Sequence, residues 1–303
     1  MYSNIISSLT GRLVVAGMVL MGAVCDIYGD ESTAGEQVYV NGLCGECENR
    51  AEPQSELFDS FAPLVVGDNT CYMVQAYFPK DDLDAMLPDH LAIPDDATMT
   101  RYYPDTKLKD DAHPFMLSFC HGSNIHDVFT KINVPEQEEI MFLFPVIYTH
   151  DDGDVYLCSY VPVLYLDSFA GVLGGLIFGL RKEFHPEMKH GEAGIVSKWW
   201  SIEDIVEASF VMQTGENMTE LPNFFKQTFA NPFVTVSYPL PFPMMVFYQA
   251  EVYPAAVRTA GENFYWNYRG ATVQDSGDTC SVYSEYWFTM SQPMSGRTYF
   301  GTR

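Results

Sequence analysis

Two apolar runs in the middle of the chain, Glu139 to Tyr148 and Val155 to Leu166, flank the polar stretch Thr149-His150-Asp151-Asp152-Gly153-Asp154. Both runs are crowded with aromatic and β-branched side chains, which fit a pleated, half-buried surface, and the stretch between them carries hairpin chemistry. This pattern commits the centre of the chain to sheet. The acidic cluster in the turn lacks the spacing and terminal glutamate of an EF-hand, so it reads as a turn rather than a calcium loop. Further strands are expected at Tyr72 to Phe78, Phe233 to Tyr238 and Met244 to Tyr253, the last two separated by Pro239, Pro241 and Pro243. A short helix opens at Asp81, where acidic residues suit the helix dipole, and Pro88 forces its end.

After the second run the chain reads YLDSFAGVLGGLIFGLRKEFHPEMK from Tyr165 to Lys189. An apolar strand ending at Asp167 passes into a glycine-rich segment, which delivers Arg181, Lys182 and Glu183 out of uncharged surroundings. Lys182 is the candidate for covalent chemistry. An exposed lysine, with a pKa of about 10.4, is almost wholly protonated at neutral pH and cannot attack a carbonyl. Burial or a second cation penalises the ammonium and frees the lone pair. Leu176, Ile177, Phe178 and Leu180 could supply the burial and Arg181 the cation, while Glu183 pulls the other way. Taken alone, a lysine that ends a buried strand and snorkels to water is the commoner outcome.

Forty acidic against sixteen basic side chains give a net charge of −24, which opposes binding to nucleic acid or anionic membranes. The acids lie in short groups beside turns, the pattern of a solvated surface. Residues 1–25 hold one charged side chain, Arg12, and then the apolar run Leu13 to Val24. That run makes a secretory signal core and falls short of the ~20 residues needed to span a bilayer. Cleavage is expected near Ala23 to Cys25, an uncleaved anchor or buried helix being the competing reading. In an exported chain, Cys44-Gly45-Glu46-Cys47 is simplest as a local disulfide. Cys71, Cys120 and Cys158 suit core thiols and bridges equally, and Cys280 could pair with any of them. His113, His121 and His126 have no recognised metal-ligand spacing, so no metal is expected. The aromatics at Phe264, Tyr265, Trp266, Tyr286, Trp287 and Phe288 are expected to fill a core.

Tyr165-Leu166-Asp167, Gly175 and Lys182 resemble the segment of acetoacetate decarboxylases that carries their Schiff-base lysine. Upstream, Cys71-Tyr72-Met73-Val74-Gln75-Ala76-Tyr77 and then Asp81 to Leu91, with Leu87-Pro88-Asp89-His90-Leu91, look like the family's opening strand, helix and LPxxL turn, in the right order. The similarity covers Thr70 to Lys189 and is looser from Phe233 to Gln292. In acetoacetate decarboxylase the lysine is activated by desolvation or a neighbouring cation, and the resemblance carries that expectation to Lys182. A family glutamate six residues before a strand proline falls on Glu139, ahead of Pro145. The chain departs from the family where Gly175-Leu176-Ile177 replaces Gly-Arg-Glu, where Glu183 replaces a second lysine and where Arg181 replaces a proline.

The resemblance implies an α+β fold, mainly antiparallel β-sheet curled into a barrel-like shape around an internal pocket. The expected layout is a signal peptide at 1–25, an extension with the CxxC at 26–69, the domain at 70–292 and a tail at 293–303. Ile202 to Met212 stays ambiguous, because Ser201 and Asp204 resemble a helix start whereas the resemblance implies a strand nearby. The activity implied is a Schiff-base lyase acting on a small keto acid without a cofactor. Lys182 would form the imine, Glu139 would move protons, and Arg181 would depress the lysine pKa or hold the substrate carboxylate. Glu183, with Glu251 and Arg258 on a strand expected beside the reactive segment, are candidates for substrate binding. The alternative is a small-molecule-binding protein that kept the fold and lost the reaction. Either version excludes nucleic acid, has no membrane span after cleavage and leaves room for a homo-oligomer.

Overall fold

A computed structural model of the chain describes residues 61–300, apart from 129–130, 151–152, 178, 194–196, 212–216, 238–243, 260–263, 269–270, 275–280 and 294–298. The expected signal segment, Cys44, Cys47 and Cys280 lie outside the described residues. The chain is mostly strand with few helices. It opens with β1 (Phe61–Pro79), α1 (Lys80–Met86), β2 (Leu91–Ala92) and α2 (Asp96–Tyr102). The central strands are β3 (Ala112–Asp127), β4 (Gln137–Thr149), β5 (Val155–Tyr160) and β6 (Leu164–Leu166), and α3 (Phe169–Ile177) then leads to β7 (Lys182–Phe184). Next come β8 (Lys189–Ala193), β9 (Ser197–Ile202), β10 (Val206–Val211), β11 (Asn217–Met218), α4 (Asn223–Ala230) and β12 (Phe233–Ser237). The last elements are β13 (Met244–Thr259), β14 (Phe264–Tyr268), β15 (Ala271–Gln274), β16 (Ser281–Pro293) and β17 (Tyr299–Phe300).

Local sequence explains where several elements begin and end. Asp81 and Asp82 occupy the first turn of α1, and the helix stops at Leu87, since a residue preceding proline disfavours helical geometry. Asp95 caps α2 by accepting a hydrogen bond from the Thr98 amide at 2.9 Å. The β4–β5 hairpin pairs Thr149 with Val155, and its turn uses Gly153 at φ 92°, a conformation that favours glycine. The run expected as one strand from Val155 to Leu166 is two strands, broken around Pro162, which has no amide hydrogen to donate to a ladder. Ser201 and Asp204 do not start a helix: Ser201 lies within β9 and Asp204 sits in the β9–β10 turn at φ 61°.

Among the described residues, twelve strands form one sheet and five form another, ordered β15-β14-β10-β9-β8. In the larger sheet the pairings return on themselves through β4, β3, β1, β16, β13, β12 and β5. Only β12–β5 and β6–β7 are parallel among the described pairings. Alternation along the strands divides the core between two faces. On one, Tyr72, Phe78, Phe119 and Phe142 pack with Trp200, Val206 and Tyr268 of the smaller sheet. On the other, Met73, Met141, Leu164 and Leu166 pack with Val172 of α3 and Phe225 of α4. The strand Met244 to Tyr253 was expected beside the reactive segment. It is part of β13, and β12, β5, β4 and β6 intervene between it and β7 in the sheet order.

Candidate active site

The glycine-rich segment that precedes Lys182 is helical. It forms α3, which returns the chain from β6 to the parallel strand β7, so that Lys182 pairs with Leu164. The helix lies against the lysine. A Cβ at Gly175 would collide with Lys182 Cδ and fall 2.5 Å from Cε and 2.9 Å from Cγ, so glycine is what lets the aliphatic stem pass under the helix. At the end of that stem Nζ donates to the Gly171 carbonyl at 3.3 Å.

Register places Glu139 on the same face. It pairs with Leu166 on one side and with Cys120 on the other, while Leu164, two residues before Leu166, pairs with Lys182. Both residues keep some solvent access as whole residues, yet protein surrounds their charged ends. Burial pushes the Lys182 amine below the usual lysine range, and the Glu139 carboxylate partly offsets this by favouring the ammonium. Burial pushes the Glu139 carboxyl up, opposed by the Lys182 charge and by a hydrogen bond from Gln137, and helped by Glu138. Both shifts favour the neutral forms. A neutral amine beside a carboxyl group that can lend and recover a proton is what imine formation requires.

Around this pair the face is polar where the rest of it is apolar. Gln137 and Asn69 are buried, and Asn69 donates from Nδ2 to the Tyr286 hydroxyl at 3.3 Å. The cross-strand neighbours Cys71 and Cys120 form a disulfide, and the Tyr286 hydroxyl donates to Cys71 Sγ at 3.0 Å. Ser118 Oγ donates to Cys120 Sγ, also at 3.0 Å. Burial pushes the Tyr286 phenol up, so it stays protonated. Cys158 is a free, buried thiol. Gln137 and Gly171 were not expected at the site from the sequence, and Tyr286 was expected only to fill a core. Period-two alternation back from Glu139 would have found Gln137; the other two depend on tertiary placement.

The remaining candidates lie elsewhere. Arg181 precedes β7 and Glu183 lies within it, next to Lys182 and so on the opposite face of the strand; the two pair with each other at 3.3 Å. Glu251 is exposed and accepts from the Tyr253 hydroxyl at 2.6 Å. Arg258 stands on β13 opposite Tyr283 and Asn217. His113 is buried against the Pro145 carbonyl at 2.8 Å, and burial lowers its pKa to about 4; His121 meets Glu138 at 2.7 Å. An open cleft of about 610 Å³ is lined by Glu187, Lys189, Glu203, Asp204 and Glu207, none of which belongs to the Lys182 face.

No protein-family model matches the chain, and no curated protein sequence does. Solved structures do match. An acetoacetate decarboxylase superposes with a TM-score of 0.53 at 10% identity, over 80% of this chain and 91% of that one. The acetoacetate decarboxylase of Legionella pneumophila gives 0.51 at 12% identity, over 82% and 96% of the two chains. The enduracididine biosynthesis enzyme MppR, complexed with the condensation product of pyruvate and imidazole 4-carboxaldehyde, gives 0.51 at 12% identity, over 80% and 91%. This chain has the acetoacetate decarboxylase-like fold, as a divergent example of it.

Proposed function

We propose that the chain is a Schiff-base-forming lyase, acetoacetate decarboxylase-like, acting on a small keto acid. The observation that carries this reading is the pairing of Lys182 with Glu139 on one desolvated face, each pushed towards its neutral form. The Lys182 lone pair would add to the keto carbon while the carbonyl π pair moves to oxygen. Proton transfers through Glu139 would then release that oxygen as water and leave a protonated imine. When a β-carboxylate departs as carbon dioxide, the electron pair of the broken carbon–carbon bond flows into the iminium and gives an enamine. Protonation at carbon and addition of water return the ketone and the free lysine. Bound pyruvate in an MppR structure makes pyruvate, beside acetoacetate, a sensible first probe.

Borohydride trapping tests the reading. An adduct on Lys182 with either keto acid, absent in Lys182→Ala, is the expected outcome, and no adduct at any lysine across a keto-acid panel overturns it. A second reading, a small-molecule-binding protein without chemistry, draws on one observation: Arg181 is held by Glu183 and is not available to clamp a substrate carboxylate. In both readings the closed circuit of strand pairings is taken as a barrel-like curl with an internal pocket. The Cys71–Cys120 disulfide supports export to an oxidising compartment. Thiol alkylation of the chain isolated without reductant should leave both cysteines unmodified.

A further inference from the structure

Phe169 and Phe184 are 59% and 40% exposed, and their ring centroids stand 5.6 Å apart, nearly edge to face. Two large rings left in water are costly unless something covers them. Their position ties them to the lysine. Phe184 lies two residues beyond Lys182 on β7, so it shares the lysine's face, and its register partner Leu166 is also the partner of Glu139. Phe169 opens α3 two residues before Gly171, whose carbonyl holds the Lys182 amine. The lysine stem runs past Gly175 towards Gly171, which carries Nζ from the level of Leu164 to that of Phe184, Leu166 and Glu139. β7 ends the sheet order among the described residues, so no further strand covers this flank. Buried Leu166 and Val172 continue the apolar surface inwards.

We infer that Phe169 and Phe184 form an outer apolar subsite that receives the aryl substituent of a 2-oxo acid whose keto group reaches Lys182. The imine step rests on the function proposed above; the subsite does not. An aromatic substituent stacked against the pair would cover both rings, which a methyl group cannot do. The substrate class is therefore an aryl-substituted 2-oxo acid rather than pyruvate itself.

The test uses the full chain, its Phe169→Ser/Phe184→Ser double variant, and three probes: phenylpyruvate, pyruvate and 3-phenyllactate. The last has the aryl group and no ketone, so it reports the subsite by calorimetry whether or not an imine forms. The expected result is half-saturation of borohydride trapping at a phenylpyruvate concentration about tenfold lower than for pyruvate. The double variant should lose that preference and about tenfold in phenyllactate affinity, with circular dichroism unchanged. Loss of phenyllactate affinity without trapping of either keto acid would uphold the subsite and overturn the imine. Undetectable phenyllactate binding, or equal binding by the two proteins, overturns the subsite. So does a dimer that the double variant converts to monomer with phenyllactate affinity intact, because a second copy would then be what covers the rings.

Discussion

Lys182 stands out in the sequence because the charged triplet Arg181-Lys182-Glu183 follows an apolar stretch, whereas Glu139 is reached only through the family resemblance. Nothing in the composition around Glu139 says which face of β4 it occupies. That follows from register with β6 and β3. The pair makes two predictions. In Glu139→Gln the charge that favours the Lys182 ammonium is gone, so the amine moves further below the usual lysine range. The rise of trapping rate with pH should then occur at lower pH, while its plateau falls about 100-fold for want of a proton carrier. A midpoint that stays or moves up would show that Glu139 does not act on the amine. Stability responds differently. Lys182→Met leaves a buried Glu139 without its cation, so its carboxyl rises further from its ordinary 4.5. The folded state then holds a proton that the unfolded state has released, and stability should fall as pH rises above 4.5 towards the folded value. Adding Glu139→Gln removes that dependence, so urea unfolding of the double variant should lack the fall in stability with pH seen in Lys182→Met.

Among the elements, α3 departs most from what its sequence advertises. Glycine is a poor helix former, costing up to about 1 kcal/mol relative to alanine, so a segment with Gly171, Gly174 and Gly175 does not advertise a helix. The fold overrides that preference, because Gly171 lies against Gln137 and Gly175 against the lysine stem, where any side chain would collide. By contrast, β4 and β5 were legible, since their local pattern and their tertiary role agree. The neighbours of β13 were not, because order within a sheet is set by pairings far apart in sequence. Gly175→Ala separates propensity from function. Alanine improves the helix locally, yet its methyl group must displace Lys182 Cδ and Cε. Trapping should fall about 100-fold, as small misplacements of a reacting group do. The melting temperature should change by only about 2 °C, since the displaced atoms end a flexible side chain. Unchanged trapping would mean that the lysine does not need its path under α3.

At the scale of the molecule, one covalent link and one imbalance of charge act on the whole fold. The Cys71–Cys120 bridge closes a span of 49 residues between β1 and β3, which by loop entropy is worth about 4 kcal/mol. Reduction, or paired replacement by alanine, should lower unfolding free energy by about 2–4 kcal/mol; a loss well below 1 kcal/mol would mean that the unfolded chain is already compact. The charge acts in the opposite sense. Among the described contributors to the net −24, Asp81, Asp82, Asp110 and Asp111 stand exposed. Their mutual repulsion is larger in the folded state, where they are closer, than in the expanded chain. Salt shortens its range, from about 14 Å at 0.05 M to about 4 Å at 0.5 M, so the folded state gains more than the unfolded one. The melting temperature should rise by about 2–3 °C over that interval of sodium chloride, a gain of about 1–2 kcal/mol for a chain of this size. Asp110→Lys with Asp111→Lys should raise the low-salt value and flatten the slope. A wild-type melting temperature that does not move with salt would show that the carboxylates are spaced widely enough to be neutral in effect, and that the acidic surface carries no stability cost.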